Sequence, residues 1–147
     1  MASELKSRLQ ADLNAARKDR DKFRTLVIST AVADIRNKEL EPPVGELDDE
    51  GVMLVLTRMI KQRRDAADQF SGAGRPELAA QEEAQATVLQ AYLPEAMGEE
   101  EVRAIVREIV ASGVDQMGPL MGQLIPRIRG RFDGKDANRI VREELAG

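Results

Sequence analysis

Residues 52–70 read VMLVLTRMIKQRRDAADQF, and the apolar side chains in this stretch recur at the spacing of an α-helix. Steps of three and four residues place one set on a single helix face, apolar except for Arg63: Val52, Val55, Leu56, Met59, Ile60, Arg63, Ala67 and Phe70. Ser71-Gly72-Ala73-Gly74 ends the pattern with residues typical of a turn. A helix of this length needs other helices to cover its apolar face, so the stretch predicts a helical bundle.

The same periodicity continues on both sides of this helix. Towards the N-terminus, Leu5, Leu9 and Leu13 predict a helix with Ser3 as its N-cap. A second helix is expected from about Asp21 to Leu40, with this apolar face: Phe23, Leu26, Val27, Thr30, Ala31 and Ile35. Pro42-Pro43 ends it, and an acidic loop leads to a cap at Asp48. A fourth helix is expected over roughly 76–91, burying Leu78, Gln85, Val88, Leu89 and Tyr92.

Beyond Pro94 the predicted helices become shorter and glycines more frequent. Three helices are expected there: one opening at Glu99, one from Gly118 to Ile128, and one following Asp133. No segment alternates with the period of two that is typical of strands. The predicted fold is therefore all-α, with an N-terminal bundle of long helices (1–94) followed by a small three-helix C-terminal module (95–147).

Composition excludes several kinds of catalytic site. The 147 residues contain no cysteine and no histidine, so Cys nucleophiles, Ser-His triads and His-ligated zinc are impossible. No glycine-rich phosphate loop of the Walker or dinucleotide type is present. The sequence predicts a protein that is not an enzyme and that has no metal site and no cofactor.

Charge and hydropathy bear on location. The formal net charge is −4, and the longest uncharged runs fall well short of the ~20 residues that cross a bilayer. The first ten residues, MASELKSRLQ, are polar and lack the apolar core of a signal peptide. These features predict a cytoplasmic protein without a membrane partner.

The region from Arg127 to Arg142 is locally basic, with six cations and two carboxylates. The cations are Arg127, Arg129, Arg131, Lys135, Arg139 and Arg142. A solvated helix face explains such a run without any ligand. The functional hypothesis is that these side chains share a phosphate-facing surface.

Two other patterns have structural interpretations. Gly118 and Gly122 lie four residues apart on one helix face, which favours close packing of another helix. Further along, Gly130, Asp133 and Gly134 favour a tight turn into a capped helix. A second basic cluster (Arg58, Lys61, Arg63 and Arg64) is expected to pair with Asp65 and Asp68 along its own helix.

Several of these stretches resemble the GatB/YqeY domain family, and the resemblance extends over the whole chain. The resemblance is carried by Leu9-x-x-Asp12-Leu13, Ile60–Ala66, Tyr92-Leu93-Pro94, Met117-Gly118-x-x-Met121-Gly122 and Gly130-Arg131-Phe132-Asp133-Gly134. Family members typically have Gly-Lys-Ala-Asp-Gly at the last site, so Arg131 keeps the charge and Phe132 departs from the pattern.

The resemblance implies a likeness to the tail of the B subunit of the tRNA-dependent amidotransferase, which reaches the tRNA body. The catalytic domain of that enzyme has no counterpart in this sequence. The leading hypothesis is a non-catalytic accessory protein that binds tRNA or other structured RNA through the six C-terminal cations. The alternative is an adaptor that docks a protein partner in tRNA metabolism through its helical faces, and an amidotransferase-associated enzyme ranks third.

Overall fold

The structure, a computed structural model, describes residues 3–147; Met1 and Ala2, which belong to the predicted N-terminal unit, lie outside the described residues. The described residues form seven α-helices and no strand, which confirms the all-α prediction. The helices are α1 (Glu4–Lys18), α2 (Lys22–Leu40), α3 (Asp49–Gly72), α4 (Pro76–Gln90), α5 (Glu99–Ala111), α6 (Met117–Ile128) and α7 (Gly134–Ala146). They divide into two compact units, Met1–Leu93 and Pro94–Gly147.

Polar side chains begin three of the four helices of the first unit. The Ser3 hydroxyl accepts a hydrogen bond from the Lys6 amide at 3.0 Å, and the carboxylates of Asp21 and Asp48 do the same for α2 and α3. Each cap satisfies an amide that has no partner inside its helix. The predicted caps at Ser3 and Asp48 are confirmed.

The core of the first unit is formed by side chains from all four helices. Its largest fully buried members are Leu9, Ile28, Ile35, Leu56 and Leu89. The face predicted for α2 is wrong in part: Phe23 is 42% exposed, Leu26 is 62% exposed, and Thr30 is exposed too. The buried side chains of α2 are Val27, Ile28, Ala31 and Ile35. They lie about a third of a turn around the helix from the exposed residues, because the other helices cover only that side of α2.

The α3–α4 pair packs through small side chains. Ala67 on α3 and Ala79 and Ala86 on α4 are buried, and they let the two helices approach closely. Leu78, Gln85 and Val88, predicted to be buried, are only half-buried, although Val88 packs against the core of the first unit. Leu89 and Tyr92 are buried as predicted.

The second unit packs α5, α6 and α7 around its own apolar core. The fully buried side chains include Val102 and Val106 on α5, Leu120 and Leu124 on α6, and Ile140 on α7. Pro126 lies inside α6, which ends two residues later at Ile128. The turn that follows carries several of the predicted RNA-binding residues.

Candidate nucleic-acid interface

Arg131 is fixed in the α6–α7 turn by backbone contacts. Its Nε donates a hydrogen bond to the carbonyl oxygen of Glu95 at 2.9 Å, and its own carbonyl accepts one from the Met97 amide at 2.8 Å. Gly130 precedes it with a φ of +75°, a conformation that favours glycine. Arg131 therefore attaches the first residues of the second unit to this turn, and part of its donor capacity is used inside the protein.

Asp133 and Gly134 shape the start of α7. The Asp133 carboxylate caps the helix by accepting a hydrogen bond from the Lys135 amide at 2.7 Å. Gly134 is the first helical residue, and a Cβ there would meet nothing within 4 Å. These residues orient α7 so that Lys135 is exposed in its first turn.

Arg139 belongs to an ion-pair network that joins α7 to α5. Its guanidinium contacts Glu99 at 3.0 Å and Glu143 at 2.9 Å. Arg103, the more buried arginine of the network, contacts Glu99, Glu143 and Glu144. Hydrogen bonds from Arg139 and Arg103 hold the pKa of the Glu99 carboxyl below its ordinary value of 4.5. A phosphate bound by Arg139, as predicted, would have to compete with these carboxylates for its guanidinium.

Arg127 and Arg129 are also engaged within the chain. The Arg127 guanidinium lies 3.4 Å from the Glu108 carboxylate, and both side chains are exposed, so this pair is weak. Arg129 is half-buried and is not without a partner. The sequence predicts that Arg127, Arg129 and Arg131 project together from this turn towards a ligand. Each of the three already has a contact within the chain, which a ligand would have to displace.

Lys135 and Arg142 differ from the other four predicted residues. Both are exposed, and neither forms an ion pair with any residue between 3 and 147. With Arg139 they occupy positions 135, 139 and 142, which share one face of α7. This exposed face retains uncompensated positive charge.

Carboxylates of α5 and α7 offset the local charge that the sequence suggests. Between Pro94 and Gly147 there are eight basic and ten acidic residues, a net charge of −2. The six cations are thus not a broad basic surface, since Glu99, Glu108 and Glu143 contact two of them. Among the six, the two exposed cations that contact no carboxylate between residues 3 and 147 are Lys135 and Arg142, and both lie on α7.

Gly118 and Gly122 do not pack against another helix in the part of the chain that the structure describes. Both are exposed, and a Cβ at either position would meet nothing within 4 Å. The predicted close helix–helix contact is therefore absent among these residues. The apolar face of α6 that packs into the core is the opposite one, with Leu120, Leu124 and Ile128.

The basic cluster on α3 also differs from the prediction. Among residues 3–147, Asp65 and Asp68 form no ion pair with Arg58, Lys61 or Arg64. Arg63 instead pairs with Glu82 of α4 at 3.2 Å. The expected pairing along the helix is wrong, because the nearest partner for Arg63 comes from the neighbouring helix.

A further group of cations at the α1–α2 turn was missed by the sequence reasoning. Five of the eight residues from 17 to 24 are basic, and all five are exposed. They are Arg17, Lys18, Arg20, Lys22 and Arg24. The signal was available as local charge density, which is higher here than between Arg127 and Arg142.

Between residues 3 and 147, each helix is either too short or too polar to cross a lipid bilayer. Among the same residues, no three acidic side chains lie together in an arrangement that could hold a metal ion.

Comparison with curated proteins finds fungal relatives. "Altered inheritance of mitochondria protein 41, mitochondrial" of Eremothecium gossypii is 32% identical over 95 residues, which cover 63% of this chain and 52% of that protein. An uncharacterized protein of Schizosaccharomyces pombe is 36% identical over 78 residues, covering 53% of this chain and 61% of that protein. The chain thus spans about half to three-fifths of the length of these relatives.

The prediction of a cytoplasmic location is contradicted by these relatives. The Eremothecium gossypii protein and its counterpart in Lachancea thermotolerans, which is 28% identical over 85 residues, are both named as mitochondrial. The lack of an apolar signal-peptide segment bears on secretion and carries no information about other compartments.

A family model described as "Yqey-like protein" matches residues 6–145. The match covers most of both units and includes every residue of the predicted C-terminal interface. The chain belongs to the family of YqeY-like proteins.

Proposed function

We propose that this protein is a non-catalytic accessory protein that binds tRNA or another structured RNA. The observation that carries the proposal is the exposed face of α7, where Lys135 and Arg142 have no carboxylate partner among residues 3–147. The helical rise puts their backbone positions about 10 Å apart, so the two side chains are able to contact separate phosphates. Structured RNA is recognised largely by shape and by such phosphate contacts.

The non-catalytic part of the proposal rests on side-chain chemistry. General bases and nucleophiles of acyl-transfer enzymes are most often histidine, cysteine or serine activated by histidine, and this chain has neither histidine nor cysteine. The likeness to the amidotransferase tail supports tRNA as the ligand to test first. The mitochondrial location named for two of the relatives is a property of those proteins, and their names mention no RNA.

The test is a titration of labelled tRNA with the full chain at several salt concentrations. The variant carries Lys135→Glu and Arg142→Glu, and the matched control carries Arg58→Glu and Arg64→Glu, with the same change in net charge. We expect the α7 variant to bind more weakly and to lose about one unit of the log–log salt slope per phosphate contact. The control retains most of the affinity. Absence of tRNA binding by the wild type at low salt, or equal losses in both variants, would overturn the proposal.

Arg131 is a poor choice for this test. A charge reversal at Arg131 removes a phosphate candidate and also breaks the hydrogen bond to the Glu95 carbonyl. Its effect on RNA binding would therefore mix recognition with the packing of the second unit. Lys135 and Arg142 have no such contact within the described residues.

The adaptor hypothesis keeps one specific observation in its favour. Gly118 and Gly122 are exposed on one side of α6, and neither has a side chain to keep a partner away. A partner helix is able to approach such a surface closely. If the wild type fails to bind RNA at low salt, this face becomes the leading candidate.

A further inference from the structure

The α1–α2 turn concentrates positive charge in the N-terminal unit. Its five cations lie within eight consecutive residues, and none forms an ion pair with a carboxylate among residues 3–147. The two acidic residues in the segment contribute to the helix ends: Asp19 follows α1 as its C-cap, and the Asp21 carboxylate accepts a hydrogen bond from the Arg24 amide at 3.0 Å. The turn is therefore a dense cluster of exposed cations that have no ion-paired carboxylate between residues 3 and 147.

Helix stability does not explain the placement of these cations. Arg17 and Lys18 lie in the last turn of α1, where positive charge complements the helix dipole. Lys22 and Arg24, however, lie in the first turn of α2, which contains no acidic residue. Positive charge at that end opposes the dipole and typically costs a fraction of a kcal/mol. A sequence that departs from local preference in this way is more typical of a functional surface.

The turn is ordered by its own backbone hydrogen bonds. The Asp21 amide donates to the Ala16 carbonyl at 2.9 Å, and the Arg20 amide donates to the Arg17 carbonyl at 3.1 Å. This is the Schellman pattern of a helix end, with Arg20 at the position that usually holds glycine. The φ of Arg20 is +59°, in the left-handed region. The cations thus project from a defined backbone.

An aromatic side chain lies among these cations. Phe23, between Lys22 and Arg24, is 42% exposed, and Leu26 one turn later is 62% exposed. Cations flanking an exposed aromatic ring are typical of surfaces that bind unpaired nucleotides, in which the phosphates contact the cations and a base stacks on the ring. A base-paired helix does not present its bases for this stacking.

We propose that the α1–α2 turn binds an unpaired segment of RNA, with Arg17, Arg20, Lys22 and Arg24 on the phosphates and a base stacked on Phe23. The inference extends the proposed RNA-binding function to a second surface, made of residues that the C-terminal proposal does not use. An anionic membrane is less well matched, because only two large apolar side chains accompany the cations and an interfacial helix presents a continuous apolar face.

The experiment compares two labelled probes on the full chain: a 12-nucleotide RNA of mixed sequence without self-complementarity, and a 12-base-pair RNA duplex. The charge variant carries Arg17→Glu, Arg20→Glu and Arg24→Glu, and its control carries Arg58→Glu, Lys61→Glu and Arg64→Glu. We expect the charge variant to lose at least tenfold in affinity for the single strand, and the control to lose much less. Equal losses would overturn the inference, since net charge alone would then explain them.

A second variant tests stacking without a change of charge. Phe23→Leu keeps an apolar side chain at an exposed position, so the protein remains folded, but it removes the ring. We expect at least fivefold weaker binding of the single strand, no change for the duplex, and recovery with Phe23→Trp. An unchanged affinity of Phe23→Leu for the single strand would contradict the stacking.

The variants distinguish failure of RNA binding by the α1–α2 turn from failure of RNA binding by α7. Loss of tRNA binding in the Lys135/Arg142 variant with no effect of the turn variants overturns this inference and leaves the proposed function standing. Loss of RNA binding only in the turn variants overturns the assignment of RNA binding to α7 and supports RNA binding by the α1–α2 turn. Binding of wild type to vesicles of anionic lipid, sensitive to Phe23→Leu, in the absence of RNA binding would assign the turn to a membrane and overturn the inference.

Discussion

The phenol of Tyr92 donates a hydrogen bond of 2.5 Å to the carboxylate of Asp12, joining the second residue after α4 to the middle of α1. The Arg8 guanidinium lies over the Tyr92 ring, 4.7 Å from its centre. Tyr92 is 5% exposed, so the phenol is largely shielded from water. The last residues of the first unit are thus held to its first helix by a polar contact between sequence-distant residues.

Removing the phenol should destabilise the N-terminal unit. Tyr92→Phe leaves the ring in place and deprives Asp12 of its donor, and hydrogen bonds to charged groups contribute about 1.5–3 kcal/mol. We expect a loss near the low end, about 1–2 kcal/mol, because Asp12 is half-buried and water is able to hydrate part of it. Urea unfolding measures the change. Tyr92→Leu, which also removes the ring, should cost more, and a Tyr92→Phe protein as stable as wild type would show that the hydrogen bond contributes nothing.

The same contact should be visible in an alkaline titration. Burial, followed by the hydrogen bond to Asp12 and the negative charge of that residue, raises the pKa of Tyr92 from 10.0 to about 12. Because the pKa in the folded state exceeds the unfolded value, the stabilisation is complete below pH 10 and is lost as the pH rises towards 12. Tyr92 is the only tyrosine and there is no tryptophan, so phenolate absorbance reports this group alone. Asp12→Asn should lower the midpoint, and a midpoint near 10 in the folded wild type would contradict the account.

The α5–α7 network should make the C-terminal unit sensitive to acid. Hydrogen bonds from Arg103 and Arg139 lower the pKa of Glu143, and those from Arg107 and Arg103 lower that of Glu144. Their stabilisation is therefore present above pH 4.5 and is lost as the pH falls through the lowered values. We expect Glu143→Gln with Glu144→Gln to flatten the fall in stability between pH 5 and pH 3, measured by circular dichroism. Glu101→Gln, outside the network, serves as the control and should leave the fall unchanged.

Replacing Arg20 with glycine should raise the stability of the protein and weaken its binding of RNA. Arg20→Gly relieves a left-handed conformation that costs a non-glycine residue about 1–2 kcal/mol, but it also makes the unfolded chain more flexible. We expect a net gain of about 0.5–1 kcal/mol together with weaker binding of single-stranded RNA. Arg20→Ala removes the same charge but keeps the strain, so it should weaken binding without stabilising the protein. A gain in stability from both variants would mean that charge repulsion rather than backbone strain is relieved.

The helix ends and the all-α fold could be predicted because their signals are local. Ser3, Asp48 and Asp133 each accept from an amide two or three residues later, so a short stretch of sequence contains the whole interaction. The buried face of α2 could be predicted only in part from the sequence, because Phe23 and Val27 both fit a helical period. Only the placement of the other helices decides which of them is covered.

The charge of the C-terminal surface could not be predicted from the run of cations alone. The carboxylate of Glu99 that contacts Arg139 lies 40 residues earlier in the chain, and Glu108 lies 19 residues before Arg127. Local counting therefore overstated the free positive charge between Arg127 and Arg142. The same counting, applied to residues 17–24, would have found the cluster of cations that form no ion pair within the part of the chain that the structure describes.

Binding of RNA by this protein in cells is measured by ultraviolet crosslinking followed by sequencing of the attached RNA. We expect the wild-type chain to carry crosslinked RNA, with tRNA enriched. A variant with Arg17, Arg20, Arg24, Lys135 and Arg142 all changed to Glu should carry at most a tenth as much at equal abundance. Recovery from the wild type no higher than from an unrelated acidic protein of similar size would contradict the proposed RNA binding.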